Sequence, residues 1–331
     1  MRTGLFCTYE NPENDFSVAY AQQTELVRLI ESLGFDEAWI AEHHFNPNAS
    51  SPSPLTIIAH LAGVTTRLRL GAAAVLLPFH DPILVAEQVA TADLLSRGRL
   101  DLGVAKGGPF PGQFKHFHVR PEDAREKAVE ALDIVERLLR DETVSFEGRF
   151  FQLDGVSLAP RPVQKPVPIF FATSTPETVT LAAARGFAVM AAPPFPLADI
   201  GQTLDRYRQS ASGADPRLVL IRFYHVEETR EAAVAQARRW LEPFIDRMRA
   251  TTAAVQPSWS PWMDLERMIG DSLIGSADDI RAKIEEIGAS LSPRSLVLKP
   301  LSPDFETRKE SLRLFAETIA PKAPSRAPVL Q

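Results

Sequence analysis

The chain has 331 residues, of which 45% are hydrophobic and 24% charged, and carries a net charge of −6. That length and balance suit one large globular domain or two ordinary ones with a sizeable buried core. With no long basic run, nucleic acid and anionic membrane surfaces are not expected as partners, and no apolar run approaches the ~20 residues of a membrane span.

The N-terminus, Met1 to Cys7, turns polar too quickly for a signal peptide and reads as a first strand. Cys7 is the single cysteine, so no intrachain disulfide can form, which fits a cytoplasmic location. Leu5 to Thr8 starts the strand series. A helix follows with Leu26, Leu29, Ile30 and Leu33 at helical spacing, ended by Gly34. Glu37 to Ala41 is the second strand, and Ser53-Pro54 opens a helix that buries Ile57, Ile58, Leu61 and Val64. Leu68 to Val75 is the third strand. Asp81-Pro82 is an N-cap and first-turn pair, starting a helix with Val85, Val89, Ala92 and Leu95 on its apolar face. Arg99 to Val104 is the fourth strand, and a helix runs from about Pro121 to Arg140.

Val144-Ser145-Phe146 and Phe150-Phe151-Gln152 form a predicted hairpin around Glu147-Gly148-Arg149. Leu158 to Pro168, with prolines at 160, 162, 166 and 168, is an extended connection. The fifth strand is Ile169 to Ala172, the sixth Phe187 to Ala191, the seventh Leu218 to Val226 and the eighth Ser295 to Leu298, with helical patterns between them. An insertion, Thr251 to Met263, precedes the eighth strand and holds Trp259 and Trp262, as a lid over a site or as simple packing. Strand-helix alternation of this kind favours a (β/α)8 TIM barrel with insertions in the βα loops. A doubly wound sheet is the alternative, but no GxGxxG follows the first strand.

Four stretches at predicted strand ends could carry chemistry. Glu42-His43-His44-Phe45 follows the second strand, at the edge where α/β proteins bind ligands. One histidine could be structural while the other does acid-base work, because adjacent side chains diverge. No HExxH or CxxC accompanies them, so no metal is expected. Ala72-Ala73-Ala74-Val75 suits tight packing or the close approach of a flat ring. Lys106, before Gly107-Gly108, is either solvated or able to reach a phosphate. Thr173, Ser174 and Thr175, before Pro176, either cap an ordinary helix or hold an anion at its start. Arg125, in the first turns of its helix, either pairs with a neighbour such as Glu122 or reaches that anion. Phe6, Tyr9, Phe45, Phe79 and Phe110 could line a dry pocket at the rim.

In order along the chain, Trp39 to Phe45, Ala73 to Pro78 with His80-Asp81-Pro82, Ser96 to Leu100, Gly103 to Gly107, Phe146-Glu147-Gly148, Pro160 to Gln164, Ser174 to Glu177 and Ser311 to Phe315 resemble the bacterial luciferase-like flavin monooxygenase family. The resemblance covers nearly the whole chain. It implies a single barrel domain over residues 1–320, and the Pro- and Ala-rich tail at 321–331 is expected to fray. It implies reduced FMN held at the carboxyl ends of the strands and supplied by a separate flavin reductase. O2 and a small organic substrate would complete the reaction. A deazaflavin (F420)-dependent oxidoreductase of the same superfamily, or a flavin-binding protein without catalysis, is the alternative. A homodimer is expected.

On the resemblance, His43 matches the family's catalytic histidine and His44 its second histidine. Ala73-Ala74 matches a non-proline cis peptide under the flavin ring. Lys106 stands where luciferase has a phosphate-binding arginine, Arg125 matches another arginine there, and Thr173, Ser174 and Thr175 match the phosphate-binding turn. Ala105 replaces a reactive cysteine and Thr173 an acidic residue, so light emission is not expected.

Overall fold

A computed structural model describes residues 1–255 and 257–319. Its strands in chain order are β1 (Arg2–Cys7), β2 (Glu37–Ile40), β3 (Arg69–Ala72), β4 (Val75–Leu76), β5 (Leu100–Ala105), β6 (Val144–Glu147), β7 (Gln152–Val156), β8 (Ile169–Ala172), β9 (Ala188–Ala191), β10 (Val219–Val226), β11 (Leu273–Gly275) and β12 (Ser295–Pro300). Eight of them pair in parallel in the order β1, β2, β3, β5, β8, β9, β10, β12, and β12 returns to β1. This is the closed (β/α)8 barrel expected from the strand-helix alternation. β4 carries on beyond β3 along β5, and β11 pairs in parallel with the last three residues of β10.

The helices lie against the barrel because their apolar residues repeat at helical spacing. Helix Phe16–Ser32 shows how one is set. The Asp15 carboxylate accepts the Ser17 and Val18 N–H groups at its start, and Leu26, Val27 and Ile30 are buried along one face. Burying each of those side chains stabilises the fold by about 1.5–3 kcal/mol. The helix ends before Gly34, whose φ of +89° suits a residue without a side chain.

Inside the barrel, Trp39, Phe170, Ala188, Met190, Val219, Ile221 and Val297 pack together. Trp39 leaves no room for a side chain at position 71, where a Cβ would fall 2.2 Å from its ring. The lower end of the barrel is polar. There Glu37 accepts the Trp39 indole N–H at 2.9 Å, and Arg69 grips Asp101 through two bonds of 2.8 and 2.7 Å.

The hairpin forms, but its second strand is Gln152–Val156, starting where the sequence reading ended it. Leu153 and Val156 continue that strand's partly buried positions against the core. The helix Arg230–Val255 absorbs the first part of the expected insertion. Elements not anticipated include helix Pro111–His116, helix Leu265–Gly270, strand β11 and helix Ala277–Leu291. The tail from residue 321 lies outside the described residues. Among the described residues no helix is long and apolar enough to cross a membrane.

Candidate functional site

Four neighbouring strands of the ring, β2, β3, β5 and β8, deliver the candidate residues to one side of the mouth. His43 and His44 follow β2, Ala73 and Ala74 follow β3, Lys106 follows β5, and Thr173 to Thr175 follow β8. The site is thus built at the carboxyl ends of adjacent strands, where a barrel places its chemistry.

The two histidines diverge as expected. The backbone of His43 is pinned to Ser51 by two bonds, N–H to O at 3.2 Å and O from N–H at 3.3 Å. Its Nδ1 is buried and, among the described residues, has no hydrogen-bond partner. Burial, reinforced by the Lys299 ammonium and opposed by Glu10, pulls the His43 pKa down to about 4. The ring is therefore neutral at pH 7, able to donate from one nitrogen and accept at the other. His44 turns instead to Glu42, with Nε2 2.7 Å from Oε1. His80 Nε2 reaches the same oxygen at 2.8 Å, and the Leu76 amide N–H donates to Oε2 at 3.0 Å. Burial pushes the Glu42 carboxyl up, but the hydrogen bonds from His44, His80 and the Leu76 amide together hold it below the ordinary carboxylate range.

The Ala73-Ala74 peptide is cis, at the break between β3 and β4. Small residues hold the chain close here. A Cβ at Gly103 would lie 2.0 Å from the Ala72 carbonyl oxygen, so β5 needs glycine at that point. The result is a flat stretch of backbone beside the histidines with little side-chain bulk over it.

The opposite edge of the site is electropositive. Helix Pro176–Ala184 opens at Thr175, whose side chain makes no capping bond. The Thr175 amide donates to Thr173 Oγ1 at 3.1 Å. Arg125 Nη1 reaches Glu177 Oε2 in the first turn of this helix at 3.1 Å, on the surface. Its pairing is across to the next strand-helix unit rather than to Glu122. Lys106 is partly buried, and burial followed by the nearby Arg125 charge lowers its pKa. Two cations and the start of a helix thus converge, an arrangement that a phosphate stabilises. These donors, the flat Ala73-Ala74 backbone and the unpartnered His43 Nδ1 fit a phosphate-bearing planar cofactor.

An aromatic wall flanks His44. Phe117 lies edge-on to it at 4.9 Å and close to parallel with Phe79 at 5.2 Å, and Phe114 and Phe45 extend the cluster. Phe114 and Phe117 were not foreseen, since the sequence reading assigns no element between Gly108 and Pro121, where helix Pro111–His116 forms. Tyr9 is not at the rim. It is buried against Tyr20 of the first helix, with ring centroids 4.5 Å apart. Trp259 and Trp262 pack on each other and on Phe195, and the Trp262 indole N–H donates to Asp199 Oδ2 at 2.8 Å. They fasten the segment after the long helix to the β9 side of the barrel.

Sequence reasoning also missed the Glu10–Lys299 ion pair, which joins the segment after β1 to the end of β12 beside His43. Its two members lie nearly the whole chain apart, so no local spacing marks them. Cys7 is fully buried and its thiol is pushed up to about 12, mainly by burial, as befits a core residue.

The profile of luciferase-like monooxygenases matches residues 1–292. Limonene 1,2-monooxygenase of Rhodococcus erythropolis is 31% identical over 95% of this chain and 84% of its own length. The oxygenase component of the flavin-dependent trigonelline monooxygenase of Acinetobacter baylyi is 27% identical over 97% and 95%. The crystal structure of the monooxygenase RslO1 from Streptomyces bottropensis superposes with a TM-score of 0.84, at 29% identity over 96% of this chain and 98% of that one. With a family profile covering most of its length and a relative above 30% identity, the chain belongs to the luciferase-like monooxygenase family.

Proposed function

We propose that this chain is the oxygenase component of a two-component flavin monooxygenase, binding reduced FMN from a separate reductase and using O2 to oxidise a small organic substrate. The observation that carries the reading is the convergence of Lys106, Arg125 and the uncapped start of helix Pro176–Ala184 across the Ala73-Ala74 backbone from His43. Similarity to the oxygenase component of trigonelline monooxygenase supports the need for a reductase.

Reduced flavin supplies the electrons that activate O2. The protein's part is binding, orientation and exclusion of water. Lys106, Arg125 and the Thr173, Ser174 and Thr175 hydroxyls hold the phosphate. Ala73 and Ala74 let the ring lie close to the backbone. Neutral His43 donates and accepts hydrogen bonds at the ring edge, and His44 stands beside it against Glu42. Phe45, Phe79, Phe114 and Phe117 keep water from that edge. Leu84 and Leu95, each 56% exposed and on one face of helix Pro82–Ser96, support a homodimer through that face. A cytoplasmic location agrees with a reductase partner.

Solved structures that share this fold include an FMN complex and an F420-dependent alcohol dehydrogenase. The second reading is therefore hydride transfer with F420. Anaerobic titration with reduced FMN and with reduced F420 separates the two. Micromolar binding of reduced FMN is the expected result, and tight binding of F420 with none of FMN would overturn the monooxygenase reading.

A further inference from the structure

The Glu42 side chain has no exposed surface, and its two oxygens bind unequally. Oε2 accepts one amide N–H, from Leu76 at 3.0 Å. Oε1 faces two imidazole nitrogens, His44 Nε2 at 2.7 Å and His80 Nε2 at 2.8 Å. An ionised carboxylate can only accept. Each facing nitrogen must therefore carry the hydrogen, and each neutral ring keeps its lone pair on Nδ1.

We propose that Glu42 is a positioning residue that locks His44 and His80 as their Nε2–H tautomers, and so makes His44, through Nδ1, the proton acceptor of the Glu42-His43-His44 group. The surroundings of the two adjacent rings agree with that division. Positive charge on His43 would be buried beside the Lys299 ammonium. Positive charge on His44 would be ion-paired with Glu42 at 2.7 Å. The same carboxylate fastens the end of β2 to Leu76 of β4 and to His80, the segment that follows the cis Ala73-Ala74 peptide. Glu42 thus holds the histidines in register with the backbone on which a flat ring would lie.

The three side chains also offer donor atoms within 4.8 Å of one another. A metal ion there would need the Nε2 lone pairs, which the proposed tautomers do not have. The two arrangements exclude each other, and one experiment tells them apart.

The tautomers stand without any flavin, whereas the role of His44 in turnover rests on the proposed monooxygenase reaction. The first arm is long-range nitrogen-15 imidazole NMR on the flavin-free protein near neutral pH, with His44→Asn and His80→Asn to assign the rings. Both rings are expected to show protonated Nε2 and bare Nδ1. In Glu42→Gln the Leu76 amide still requires an oxygen, so the amide NH2 turns to the imidazoles. Both rings should then invert to Nδ1–H. An Nδ1–H ring in the unmodified protein overturns the proposal, even if the Gln variant fails to fold. So does a folded Gln variant with unchanged tautomers, or stoichiometric cobalt(II) binding that Glu42→Gln abolishes. The second arm is reduced FMN affinity and substrate oxidation. Glu42→Gln is expected to bind reduced FMN within about twofold of the unmodified protein, and to oxidise substrate ~100-fold more slowly. Unchanged turnover overturns the role given to His44. Failure of the unmodified protein to bind reduced FMN removes the monooxygenase reading and leaves the tautomer result standing.

Discussion

Lys106→Ala tests the phosphate end of the site. Lys106 is partly buried beside Arg125, and both burial and that neighbouring charge disfavour its ammonium form in the free protein. A bound phosphate adds a negative charge beside both cations and so favours the ammonium form of Lys106. One charge-assisted hydrogen bond contributes about 1.5–3 kcal/mol. Arg125 and the open helix start remain in the variant, so the lower half of that range applies, a loss of roughly 10- to 45-fold in affinity for reduced FMN. Riboflavin has the same ring and no phosphate, and should lose less than about twofold. The assay is anaerobic titration of both flavins against both proteins. If FMN and riboflavin weaken equally, Lys106 acts on the ring or on the fold, and the phosphate assignment is wrong.

His43 makes a separate prediction about stability. Its folded-state pKa, about 4, lies below the ordinary value of 6.5. Between those values the unfolded chain binds the proton and the folded chain does not, so this group's contribution falls as pH falls. The loss is about 2 kcal/mol between pH 7 and pH 5, and His43→Asn should remove that part of the slope in urea titrations. Equal acid sensitivity in both proteins would refute the assignment. His43→Ala should lower product formed per reduced flavin while leaving flavin affinity largely intact, and an unchanged yield would point to the other histidine. Gly103→Ala drives a Cβ against the Ala72 carbonyl oxygen, a backbone atom that cannot swing away. A loss of about 3 kcal/mol is expected in chemical denaturation, and a neutral effect would contradict the close approach of β3 and β5.

Much of the barrel was legible because its strands are short apolar runs and its helices carry apolar stripes. The helix expected from about Pro121 to Arg140 does end at Arg140, with Ala128, Ala131, Leu132, Val135 and Leu138 buried along it. Helix Ala277–Leu291 was equally readable and was passed over. Ser276 and Asp279 form a capping box, and Ile280, Ile284, Ile287 and Leu291 follow at helical spacing. β11 has three residues, too few to show alternation.

The site was legible strand by strand but not in its connections. His43, Lys106 and Thr173 each sit at a predicted strand end, so their arrival at one mouth follows from the barrel. That Arg125 reaches Glu177, or that Glu42 binds both His44 and His80, depends on side-chain directions that spacing does not carry. His80 read as a residue before a helix start, and only the turn after β4 brings its ring back to β2.

The most direct measurement is a crystal structure of the protein with FMN. The account predicts the phosphate against Lys106, Arg125 and the Thr173 to Thr175 turn, and the ring over Ala73-Ala74 with His43 at its edge. A phosphate bound away from that turn, or a ring lying away from Ala73-Ala74, would contradict it.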